Sequence, residues 1–256
     1  MSPGRWLPSV VLAMLMSALG FAQDIPVGTV LPVMMNTSLD SGRSKPGDKL
    51  TGRLMQDVAL GSGQRIRAGA RLYGQVVEAV PASPNAAARV VVRFDRLVAA
   101  GQREYSIGVS LRALASMADV FTAHLPTGTF DEYGTSISDW TTVQVGGAAV
   151  YLGDGTVRDA MEIVGRAPAY GEVTGKLTPA PKRGCPAEAL AGSQEQSLWV
   201  FSPWACGTYG FGDLTIVRNG ASQPVGTIDL SAPKAVTVRG GSGWLLQVLE
   251  SSASAR

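Results

Sequence analysis

Histidine and cysteine are scarce in this chain, with one His and two Cys among 256 residues. A Ser–His–Asp or Cys–His catalytic unit therefore has a single candidate base, His124. That residue sits in an irregular stretch beside Leu125-Pro126, and no Gly-x-Ser-x-Gly elbow occurs. A packing or surface role is the reading given to it. One His and two distant Cys do not supply a zinc ligand set, and the carboxylates form no calcium loop. No metal and no cofactor are expected. Charge is also sparse, at 16% of residues with a formal net charge of +2 and no run of Lys or Arg. This excludes the basic footprint of a nucleic-acid binder and a polybasic membrane patch. The glycines of 145–155 lack the order of a dinucleotide fingerprint. Beyond residue 22 no apolar run is long enough to span a bilayer.

What is present begins with the leader. Arg5 precedes SVVLAMLMSALGFA at 9–22, an uncharged apolar run that ends in Gly20-Phe21-Ala22. Small residues at −3 and −1 of such a run mark a signal-peptidase site, so residues 1–22 are read as a cleaved signal peptide. No transmembrane anchor is expected after cleavage, and the location is periplasmic or secreted. In an exported chain, Cys185 and Cys206 are read as a disulfide pair.

The remainder is rich in Gly and Pro, with 31 and 15 of them. Short Val/Leu/Ile-rich runs at 30–35, 50–60, 71–80, 89–98 and 105–111 are separated by turn clusters such as Lys45-Pro46-Gly47-Asp48. This spacing predicts an all-β fold: a small N-terminal β-barrel over 23–114 and a β-sandwich-like domain over 141–250, with little helix. Residues 115–140 are read as a linker or excursion with one short helix near 114–122. The tail 251–256 is read as frayed. Strands are expected at 197–201, 214–217 and 225–230, with a hairpin turn at Asn219-Gly220. An internal echo, Ile25-Pro26-Val27-Gly28-Thr29-Val30-Leu31 against Ile66-Arg67-Ala68-Gly69-Ala70-Arg71-Leu72, suggests a pseudo-symmetric barrel.

The first of those strings, followed by Lys45-Pro46-Gly47-Asp48, Gln56-Asp57-Val58, Ile66 to Ala70 and Gly74-Gln75-Val76-Val77, resembles the N-terminal pattern of TrbI/VirB10-like β-barrel domains. The resemblance covers about a third of the chain and implies a barrel in a cell-envelope setting. Arg67 stands where the family pattern has a second Pro. The family's inner-membrane helix and Pro-rich stalk have no counterpart here. The motif residues Gly28, Gly47, Asp48 and Gly69 are turn formers, so a structural role is assigned to them.

Candidates for ligand binding lie further on. Trp199, Trp204 and Tyr209, with Phe201 and Phe211, could present stacking faces to a glycan. The competing reading is a core cluster packed on the disulfide. Asp131, Glu132 and Asp139 are the carboxylates a glycosidase would need, although neighbours in sequence more often form a solvated turn. The function expected is a non-enzymatic scaffold or binding module whose partner is an envelope protein or a glycan. Carbohydrate or peptidoglycan binding is the alternative, and a carboxylate-dependent hydrolase is the weaker one.

Overall fold

The computed structural model describes residues 24–61, 63–124, 142–147, 150–151, 156–159, 162–169, 172–178, 194–217 and 226–254. The leader 1–22, Cys185, Asn219-Gly220 and the carboxylates Asp131, Glu132 and Asp139 lie outside them. The first half of the chain contains β1 (Val30–Met35), β2 (Leu39–Asp40), β3 (Lys49–Leu54), β4 (Val58–Gly61), β5 (Gln64–Ile66), β6 (Arg71–Val80), β7 (Ala88–Val98), β8 (Glu104–Ala115) and the helix α1 (Met117–His124). The second half adds β9 (Thr142–Val143), β10 (Val150–Tyr151), β11 (Thr156–Asp159), β12 (Glu162–Ala169), β13 (Glu172–Lys176) and β14 (Glu195–Ser197). It then continues with β15 (Gly207–Tyr209), β16 (Thr215–Val217), β17 (Thr227–Ala232), β18 (Thr237–Val238) and β19 (Gly243–Ser254). The protein is mostly β, as its composition indicates.

Six strands close into a barrel in the order β8-β19-β1-β3-β6-β7, and β7 returns to β8 through Arg96↔Ser106, Leu97↔Tyr105 and Val98↔Glu104. Five of these strands come from the segment 23–114 or run just past it. The sixth, β19, is the last strand of the chain and is hydrogen-bonded between β1 and β8. The sequence reading places the barrel within 23–114. In the structure that segment leaves β1 and β8 as open edges, and closure needs residues assigned to the second domain. The tail also differs from its reading. Ser251 to Ser254 pair with Ile107 to Glu104, because the long β8 offers them backbone partners. β17 and β16 extend the same sheet beyond β7.

The barrel interior is filled by inward residues such as Leu31, Val33, Leu72, Phe94, Leu111, Leu246 and Trp244. Trp244 meets Phe94 edge-on, with ring centroids 5.7 Å apart. β9 to β14 form a separate antiparallel sheet in the order β14-β13-β12-β11-β10-β9. A second core joins the two parts. Val30, Ala113, Ala115 and Leu245 on barrel strands pack with Val120 and Ala123 of α1 and with Val157, Val173, Leu198 and Phe201. Strands β1, β8 and β19 therefore bury residues on both faces where they meet this core, and there Val30-Leu31, Ala113-Leu114-Ala115 and Trp244-Leu245-Leu246 are apolar on consecutive positions rather than alternating.

The internal echo is realised as two matching turns. Thr29 N–H donates to Pro26 O at 3.1 Å and Ala70 N–H to Arg67 O at 3.3 Å. Gly28 (φ 88°) and Gly69 (φ 87°) take the left-handed position of each turn, and each turn feeds a barrel strand. Ile25 and Ile66, at the start of each unit, are both buried. The family-like motif residues serve these turns. Asp57 Oδ1 accepts from Ala68 N–H at 2.8 Å, and Asp48 Oδ2 accepts from Lys45 N–H at 2.8 Å.

Candidate functional site

The sequence reading sets Trp199 and Phe201 on one face of a strand. The strand ends at Ser197, and Leu198 to Phe201 form a turn closed by Phe201 N–H donating to Leu198 O at 2.9 Å. Trp199 lies at φ 51°, an uncommon backbone region for a bulky side chain. Three bonds hold it there. Its backbone N–H donates to Gln56 Oε1 at 2.8 Å, and the same oxygen accepts from Val173 N–H at 3.2 Å. Its indole N–H donates to His124 Nε2 at 3.1 Å. His124 Nδ1 bonds Val120 O at 2.7 Å, so the ring carries its proton there and accepts on Nε2. Trp199 is 2% exposed, and Phe201 is fully buried. Both are core residues, and His124 has a structural place between helix and turn.

Tyr209 is half-buried, and its hydroxyl accepts from Cys206 N–H and donates to Cys206 O. Burial pushes the Tyr209 phenol above its ordinary value, partly offset by the Cys206 bond and by the nearby Arg112. Cys206 is fully buried, while its expected partner Cys185 lies outside the described residues.

Trp204 has a different setting. Ser202-Pro203-Trp204-Ala205 is a turn closed by Ala205 N–H to Ser202 O at 3.0 Å, with Pro at the position that favours it. The carbonyls on either side of Trp204 are clamped from within. Arg112, 1% exposed, donates from Nε to Ala205 O at 2.9 Å and from Nη2 to Pro203 O at 2.8 Å and Thr178 O at 3.0 Å. Arg112 comes from β8, where the ladder steps from Leu111 to Ala113 and leaves it as an extra residue turned toward the second core. The buried guanidinium thus fixes the turn that carries Trp204.

Trp204 lines a groove of about 590 Å³ over β12, β13 and β14. Arg166, Lys176, Glu195, Thr178 and Ile163 share it. Gly165 and Gly175 pair across the two central strands and are both buried, and a side chain at Gly175 would meet Leu198 and Pro203 on the core side of the sheet. Arg166 Nε meets Glu195 Oε1 at 3.1 Å, with the two side chains 72% and 44% exposed. Two cations and one carboxylate line the groove among the described residues. A second pocket of about 530 Å³ lies where β7 parts from β8, beside Arg93, Asp95, Gly226 and Glu250, and is wholly polar in its exposed side chains.

Of the ligand residues named from sequence, the structure places Trp204 alone at a groove. Arg112, Gln56 and the cation pair were missed. A lone Arg inside the apolar run 109–115 was the one available signal for Arg112. Among the described residues no group of His, Cys, Asp and Glu could hold a metal ion, and no helix is long and apolar enough to cross a membrane. No family model and no curated protein matches this chain.

Proposed function

We propose that this protein is an exported, non-enzymatic binding module of the cell envelope, periplasmic or secreted, whose ligand site is the groove beside Trp204. The observation that carries the reading is the clamped turn. A buried Arg112 holds the backbone on both sides of a half-exposed indole, which is how a binding residue is kept in place before its ligand arrives. The leader pattern at 1–22 and the resemblance of the N-terminal motifs to TrbI/VirB10-like barrels support the envelope setting. A Cys185–Cys206 disulfide fits the same compartment and would tie a loop to the strand beside the Trp204 turn.

The test is sedimentation of the purified protein with isolated peptidoglycan sacculi, alongside the W204A variant. The wild type is expected in the pellet, and W204A is expected to stay largely in the supernatant while keeping its near-UV circular dichroism. Equal recovery of both proteins in the supernatant overturns the reading.

A further inference from the structure

We infer that the Trp204 groove takes an acidic saccharide, one whose sugar rings carry carboxylates. This rests on the reading of that groove as the ligand site. Two features of the lining converge on the class. The indole presents a negative ring face, which attracts the weakly positive C–H face of a pyranose. Arg166 and Lys176 stand on adjacent strands, diagonally across the Gly165–Gly175 pair and on the same face of the sheet, so both cations reach the same ligand.

Glu195 sets the balance. It is the cross-strand partner of Lys176 and the ion-pair partner of Arg166. Glu195 is thus paired with Arg166 and lies opposite Lys176 in the ladder. A ligand carboxylate replaces Glu195 at the Arg166 fork, where the planar guanidinium can grip it with two N–H groups. The exchange costs little, because the Arg166–Glu195 pair is well exposed to water. Thr178, at the Trp204 end, supplies a hydroxyl for the sugar's own hydroxyls.

The experiment measures affinity of the full protein by calorimetry for a hexamer of galacturonic acid, for the methyl ester of the same hexamer, and for poly-glutamate. The acid hexamer is expected to bind about tenfold tighter than its ester at low salt, the sum of two exposed ion pairs. That ratio is expected to shrink toward one at high ionic strength. W204A loses both sugars. R166Q combined with K176Q removes the preference for the acid form over the ester. E195Q tightens the acid hexamer about threefold by releasing Arg166, a gain that no misfolded variant would give. Equal binding of acid and ester with loss in W204A overturns the acidic class and leaves the groove as the ligand site. Poly-glutamate binding as tightly as the hexamer overturns the saccharide. Absence of hexamer binding by a protein that still pellets with sacculi overturns this inference alone, whereas loss of both removes the reading on which it stands.

Discussion

The barrel and the six-stranded sheet beside it are held by different means. In the barrel every strand has two neighbours, and backbone ladders close on themselves around one apolar core. Among the described residues the sheet β9 to β14 does not close on itself, and it is attached to the barrel by the second apolar core and by side chains that bond backbone. Gln56 takes Trp199 and Val173, Gln196 accepts from Val30 N–H, Ser197 donates to Asp57 O, and Arg112 takes Thr178, Pro203 and Ala205. Closure gives the first region a stability that is spread over its whole length. The second adds to its apolar core a few buried polar groups, each of which is costly to remove. The candidate site sits in the second region, where a local change can alter the site and spare the scaffold.

Deleting 243–256 should have the largest effect on the barrel. The barrel loses the strand that joins β1 to β8, and the chain is expected to show no cooperative unfolding transition and no near-UV circular dichroism. Next in size is the barrel core. W244A should cost about 3–5 kcal/mol in a urea melt. W244F should cost much less, because the indole N–H finds no acceptor among the described residues and the Phe94 contact survives. R112A leaves buried carbonyls without their donor and is expected to cost about 3 kcal/mol. Its mark is regional: amide exchange should rise at 203–205 and in β13 before it rises in the barrel ladder. A chain in which R112A loosens both regions equally would show that the two are one cooperative unit.

G28A and G69A test the internal repeat. Open space surrounds both positions, so only the backbone is strained, and each substitution should cost about 1–2 kcal/mol in equal measure. The smallest effect concerns Tyr209. Its phenol is raised in the folded state, so the unfolded chain loses that proton first as pH climbs. The stabilising neutral form is fully present below the ordinary value of 10.0 and is lost as pH rises through the higher folded value. Y209F should flatten the fall in stability between pH 9 and about 11, relative to wild type in parallel melts.

Much of the barrel could be read from sequence because its strands are bounded by local chemistry. The runs at 30–35 and 71–80 coincide with β1 and β6, each entered through a glycine turn whose residues are adjacent in the chain. The run at 50–60 is in fact two strands. Met55-Gln56-Asp57 leaves the ladder so that Gln56 and Asp57 can bond distant backbone, and no local pattern shows such a partner. The alternation of Trp199 and Phe201 mimics a strand, although a positive φ at Trp199 turns the chain. At the site, Trp204 was visible as an aromatic after Pro. Arg166 and Lys176 were not, since their meeting depends on which strands lie side by side. The tertiary place of β19 was hidden for the same reason.

That last strand has a consequence for how the molecule comes into being. Ile25 N–H meets the Ser251 hydroxyl across 226 positions, close to the full length of the chain. A polypeptide emerging from its N-terminus holds five barrel strands and no closed barrel until residues 243–254 are free to pair. Contacts this remote make folding slow, because the entropy of closing so long a loop must be lost before any ladder rewards it. The barrel therefore closes only once 243–254 can enter between β1 and β8, and a chain held open there exposes both of those edges.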